Sequence, residues 1–231
     1  MAENLNPLLV VGPGRAGTSL LMACLGGHPR ITARYEYRAM EILTGSAADR
    51  FIRFRAACEE DGARHPGTIW ANKITTEQIA GPTPGGRLES LAVDAAEELV
   101  AAMPEYRIVF IIRDGRSCIA SKQRRGHVPL AAGALRWCDG AHVLYRLRDL
   151  GALTALVRYE ELVRSPQVAL PALCRSLGID FYESMLRQTD SEALAPEYRN
   201  PTFIAEKATI PPLPDDIVAI IEPELRRLGY L

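Results

Sequence analysis

Leu8-Leu9-Val10-Val11-Gly12-Pro13-Gly14-Arg15-Ala16-Gly17-Thr18-Ser19-Leu20-Leu21 reads as a buried strand, a glycine-rich turn and the start of a helix. Such a turn aims backbone N–H groups at whatever sits over the helix N-terminus, which makes it an anion site. A strand–helix turn without a ligand is the plain alternative, but an arginine inside a buried turn calls for an anionic partner. Gly12-x-Gly14-x-x-Gly17 matches the dinucleotide fingerprint, and Glu36 follows at the spacing of a ribose-binding acid. The stretch Ile31 to Tyr35, however, does not read as the buried strand that fingerprint requires. Gly12-x-x-x-x-Gly17 also matches the front half of a P-loop, with Thr18 where the phosphate-binding lysine belongs. ATP or GTP hydrolysis is disfavoured on that ground.

Strands and helices alternate on either side of this motif. Strands are expected at 8–11, at 68–71 ending on Asn72-Lys73, at 107–112, and at 153–157 ending on Arg158-Tyr159-Glu160. Helices are expected over 18–25, 91–103, 117–125 and 131–149, over 166–177 closed by Gly178, and from Pro214 to Leu228. The charged stretch 34–55 looks helical, while 81–87 and 189–213 read as loops. This alternation predicts an α/β chain. Residues 1–231 are expected to form one P-loop-like, three-layer domain, a central parallel sheet with helices on both faces. Ligands of such sheets lie beyond the carboxyl ends of the strands, where Arg15, Lys73, Arg113 and Tyr159 would gather.

Composition narrows the function. The net charge of -1 gives no basic field for nucleic acid. Only Lys73, Lys122 and Lys207 are lysines, so the positive charge is nearly all arginine, suited to planar recognition of oxyanions. No apolar run approaches the roughly 20 residues of a membrane span. The first strand starts too early to leave room for a secretory leader. Five scattered cysteines without a C-x-x-C pair argue against disulfides and zinc, and no metal site is expected. A reduced, cytoplasmic protein follows.

A second element complements the first loop. Arg113 ends the clearest strand, and Ser121 and Arg125 follow one helical turn apart on one side. With the first loop, they suggest a second phosphate contact.

Taken together, these motifs resemble the sulfotransferases, and within them the tyrosylprotein sulfotransferase branch. Arg15-Ala16-Gly17-Thr18-Ser19-Leu20 is similar to that family's 5′-phosphosulfate loop, with Ala16 and Ser19 in place of the usual Ser and Thr. Arg113-Asp114-Gly115-Arg116 through Ser121 resembles its 3′-phosphate motif. His28-Pro29, Glu36, Asn72-Lys73, Tyr159-Glu160 and Leu228-Gly229-Tyr230 stand at matching places. The resemblance implies 3′-phosphoadenylyl sulfate (PAPS) as co-substrate and adenosine 3′,5′-bisphosphate (PAP) as product. It implies Glu36 as general base, with Lys73 and Arg15 meeting the charge on the leaving phosphate. Arg113, Ser121 and Arg125 would hold the 3′-phosphate, Tyr159 would support the nucleotide, and Arg199 and Lys207 are candidates to close over it. The acceptor would be a small molecule or peptide bearing a free hydroxyl. From the residues alone, Glu36 could instead be a surface carboxylate paired with Arg34 or Arg38. A P-loop kinase or NTPase, an NAD-type oxidoreductase and a non-catalytic nucleotide-binding module are the competing classes. The oligomeric state is not legible.

Overall fold

The structure is a computed structural model that describes residues 6–45, 47–81, 89–126, 128–187 and 210–231. Its centre is a five-stranded parallel sheet in the order β2-β3-β1-β4-β5. The strands are β1 (Leu8–Gly12), β2 (Ile31–Tyr35), β3 (Ile69–Thr75), β4 (Arg107–Ile112) and β5 (Leu153–Arg158). Every residue of β1 is buried, as its run of Leu and Val requires of a strand covered on both faces. Leu9 and Val11 pack on one face with Trp70, Ile74, Phe110 and Ile112. Leu8 and Val10 pack on the other with Ile69, Ala71, Val109 and Ile111. Side chains that alternate along each strand thus feed two separate cores.

Helices α3 (Arg50–Gly62), α5 (Glu89–Ala102), α6 (Gly115–Arg124), α7 (Leu130–Asp149) and α10 (Asp215–Arg227) contribute to the first core. Helices α1 (Thr18–Gly26), α8 (Tyr159–Arg164) and α9 (Pro166–Leu177) cover the second. Two short helices, α2 (Ala39–Ile42) and α4 (Thr76–Ala80), follow β2 and β3. The expected α/β sandwich with a parallel sheet is the architecture found. Trp137, Ala141 and Leu144 of α7 are fully buried, and Gly178 ends α9 at φ 64, the stop expected from the sequence. All five cysteines are buried free thiols.

Three local expectations fail. Ile31 to Tyr35 is a strand, β2, pairing in register with Ile69 to Lys73. Its partly exposed Thr-Ala-Arg-Tyr sequence is that of an edge strand, which needs no continuous apolar run. The 34–55 stretch is therefore not one helix but a strand end, a turn, α2 and the start of α3. The strand expected to stop at Asn72-Lys73 continues to Thr75, because Ile74 is fully buried in the first core. Lys73 thus lies inside β3, opposite Val10 of β1.

Candidate active site

The glycine-rich loop turns sharply between β1 and α1. Arg15 and Gly17 both lie in the left-handed region, at φ 75 and 101. Gly17 is obligatory twice over, since a Cβ there would also sit 2.5 Å from the Tyr159 ring. No side chain caps α1 and no acidic residue occupies its first turn, so its leading N–H groups and dipole face the loop. Arg15 reaches across the sheet edge to donate from Nε to Ser121 Oγ at 3.2 Å. Arg113 donates to the Arg15 carbonyl at 3.5 Å, and its guanidinium lies 4.2 Å from the centroid of the Tyr159 ring. The indole of Trp137 donates to the Arg113 carbonyl at 3.0 Å. Burial pushes the Tyr159 hydroxyl pKa up, partly opposed by Arg113, so the ring is a neutral platform. Arg125 is exposed at the C-terminal cap of α6, one turn beyond Ser121.

A second cluster forms where β2 meets β3. Tyr35 pairs with Lys73 in register, and the next residue, Glu36, donates its backbone N–H to the Lys73 carbonyl at 3.0 Å. Glu36 adopts φ 55, a left-handed turn that swings its side chain back over the strand. Asn72 fixes this turn by accepting from the Tyr37 N–H at 3.1 Å and donating to its carbonyl at 3.2 Å. Lys73, only 7 % exposed, forms an ion pair with the Glu36 carboxylate. The two halves of the Asn-Lys pair therefore divide the work: Asn72 holds the backbone of the turn and Lys73 meets its carboxylate. The surface-pair alternative for Glu36 does not hold. Arg34 is engaged by Asp61 at 2.6 Å and Arg38 by Glu41 at 2.8 Å.

Sequence reasoning missed the helix that links the two clusters. Glu77 of α4 accepts from the Gly14 N–H at 2.9 Å and pairs with Lys122 of α6 at 2.5 Å. Burial alone would raise the Glu77 pKa, but the Lys122 ammonium and the Gly14 N–H outweigh it and hold the carboxyl below its ordinary value. Both described lysines are thus buried and carboxylate-paired at this edge of the sheet; a chain with only three lysines offered that hint. The adjacent Gln78 donates to Glu36 Oε2 at 2.9 Å. At the other end of the sheet edge, Glu160 accepts from the Asp114 N–H at 2.9 Å and from the Tyr230 hydroxyl at 3.2 Å. Asp114 caps α6 through the Arg116 N–H and pairs with the Arg116 side chain at 2.6 Å. The C-terminal Leu-Gly-Tyr thereby braces the turn that carries Arg113.

His28 stands apart. Its ring accepts from the Arg30 N–H at 3.0 Å and contacts the Asp180 carbonyl at 3.1 Å. It lines a pocket with Ile69 and Arg107, the first residues of β3 and β4, at the opposite end of the strands. Burial lowers its pKa, which suits a structural role in the turn before Pro29. Arg199, Lys207 and most of the 81–87 and 189–213 loops lie outside the described residues. No helix among the described residues is long and apolar enough to cross a membrane.

Comparison with known proteins shows the family and the fold. Residues 7–183 match the sulfotransferase family. Protein-tyrosine sulfotransferase 2 of Gallus gallus is 23% identical over 267 aligned positions, which span 97% of this chain and 69% of that protein. The sulfotransferase domain of the Synechococcus PCC 7002 olefin synthase has the same fold, with a TM-score of 0.63 at 20% identity, covering 95% of this chain and 94% of that one. The sulfotransferase domain of the curacin biosynthetic pathway gives 0.67 at 16% identity, covering 95% and 97%.

Proposed function

Since this chain belongs to the sulfotransferase family, we propose that it moves the sulfuryl group of PAPS in line to an acceptor hydroxyl, with Glu36 as general base. The observation that carries this reading is the Glu36–Lys73 pair, held at the carboxyl edge of the sheet beside the anion-binding loop. The loop fits a nucleotide bearing two phosphates. Its backbone presents an uncapped helix start, and Arg15 and Arg113 approach from different strands. The donor supplies the activated sulfuryl group; the residues do the rest. Glu36 takes the proton of the hydroxyl as its oxygen bonds to sulfur. As the bond to the bridging oxygen breaks, Lys73, Arg15 and the N–H groups of Ala16 to Leu20 meet the charge left on the phosphate. Arg113, Ser121 and Arg125 hold the 3′-phosphate that distinguishes this donor from ATP, and Tyr159 supports the nucleotide. Lysine and arginine supply the positive charge, so no metal is assigned a role.

The acceptor is a phenol, an alcohol or a tyrosine on a small molecule or peptide. The Gallus gallus relative supports the tyrosine by its name. We place the reaction in the cytoplasm, on the free thiols, and treat residues 1–231 as one sulfotransferase domain.

Calorimetric titration with PAP, with ATP and NAD as controls, tests the donor. Binding of PAP alone is expected; a preference for ATP or NAD would restore the kinase or oxidoreductase reading. Glu36→Ala should bind PAP normally and lose turnover of labelled PAPS with phenol and tyrosine peptides, acceptors that keep their proton at neutral pH. Retained turnover would remove Glu36 from its role.

A further inference from the structure

The helix after the lysine strand does more than continue the chain. Gln78 occupies the third position of α4, is 4 % exposed, and closes a capping box with Thr75. Its Oε1 accepts from the Thr75 N–H at 2.8 Å. That bond settles which way the amide faces, because a backbone N–H cannot be satisfied by the amide nitrogen. Nε2 is thereby aimed at Glu36 Oε2, 2.9 Å away. Lys73 takes Oε1 of the same carboxylate. Each Glu36 oxygen thus has its own donor, and each donor is fixed by the β3–α4 segment.

We propose that Gln78 is the positioning residue of the base: it fixes the carboxylate plane of Glu36 toward the acceptor oxygen, using a cap bond to hold its own amide. This rests on Glu36 being the base, as argued above. The cap and the orienting bond can be separated. Glutamate at this place can still accept the Thr75 N–H, as the capping box allows, but in its charged form cannot donate to Glu36. Gln78→Glu therefore keeps the helix start and, above the pH range in which the two adjacent carboxyls share a proton, removes the orienting bond, whereas Gln78→Ala removes both.

The experiment compares wild type, Gln78→Glu, Gln78→Ala and Glu36→Gln, with unsubstituted phenol, which keeps its proton at neutral pH, as acceptor and PAP as binding probe. Both Gln78 variants should bind PAP within about twofold of wild type, which also shows that they fold. Their kcat should fall about 10- to 100-fold, the size of a misplaced reacting group, with the donor KM little changed. The acid limb of the pH–kcat profile should move to higher pH, because a hydrogen bond to the charged carboxylate is lost. A crystal structure of Gln78→Glu should show the Glu36 carboxylate turned away from residue 78, a readout that needs no acceptor. An unmoved carboxylate, or an unchanged kcat and pH limb, overturns the inference. If Glu36→Gln itself keeps turnover, it is the base assignment that has failed; if Glu36→Gln is inactive and both Gln78 variants are not, only the positioning role has.

Discussion

Glu77→Gln isolates the charge that ties the anion loop to the rest of the site. Its amide oxygen can still accept from the Gly14 N–H, so the shape of the loop survives. What changes is Lys122, which is 4 % exposed and loses its counter-charge. Removing one partner of a buried ion pair costs about 3–5 kcal/mol. An amide oxygen remains within reach of the ammonium, so the lower end, about 3 kcal/mol, is the expected loss at pH 7. In a chain of this size about 1 kcal/mol moves Tm by about 2–4 °C, giving a drop of about 6–12 °C. The pH dependence gives the sharper test. The folded Glu77 carboxyl lies below its ordinary value of 4.5. As pH falls, the unfolded chain therefore takes up this proton first. The stabilisation is complete above that ordinary value and is lost as pH drops through the folded one. Calorimetric melts of wild type and variant should differ fully at pH 7 and converge in acid. Adding Lys122→Met should recover part of the loss, because the stranded charge goes with it. A deficit under about 1 kcal/mol, or one that persists unchanged in acid, would refute a charge-based account of this contact.

Two further predictions concern nucleotide binding. Gly17→Ala combines a left-handed φ of 101 with a Cβ 2.5 Å from the Tyr159 ring. It should cost about 1–3 kcal/mol in urea melts and weaken PAP by displacing both the loop and the ring. Arg113→Met removes the guanidinium stacked on Tyr159. It should raise the PAP Kd about 10- to 100-fold and leave AMP within about twofold, as one charged contact to the 3′-phosphate would do. Equal losses for the two nucleotides would detach Arg113 from the 3′-phosphate.

The parts legible in the sequence were those whose signal is local. A run of Leu and Val before a glycine turn can only be a covered strand, and its chemistry follows from the turn. β2 was illegible because an edge strand shows no continuous apolar run; Arg34 in it is balanced by Asp61, a residue of α3. Missing β2 obscured why Glu36 and Lys73 meet at all, since only the register of Tyr35 with Lys73 makes them neighbours. Glu77, Gln78 and Lys122 were invisible for a related reason. Their partners are 63, 42 and 45 residues away, and a Thr-Glu-Gln sequence at a helix start is ordinary capping chemistry on its own. Spacing found the loop and the charged strand ends. Only tertiary pairing shows how they are held.

That pairing bears on how a loop without the P-loop lysine manages anionic chemistry. In a P-loop the cation is built into the helix after the last glycine. Here that place is Thr18, buried at 4 % exposure, and the ammonium that the proposed mechanism uses is that of Lys73 in the neighbouring strand. The transfer carries a consequence. A lysine inside the loop is available to phosphate at all times, whereas Lys73 is neutralised by Glu36 in the resting protein. On the proposed mechanism, Glu36 loses its negative charge when it takes the acceptor proton. Lys73 then regains an uncompensated positive charge as negative charge develops on the leaving phosphate, in a setting that screens little. Base and electrophile are two ends of one ion pair, so the proton transfer that activates the acceptor also releases the cation that the departing group needs. The β2–β3 register, which puts Glu36 directly after the partner of Lys73, is what makes that coupling available to this chain.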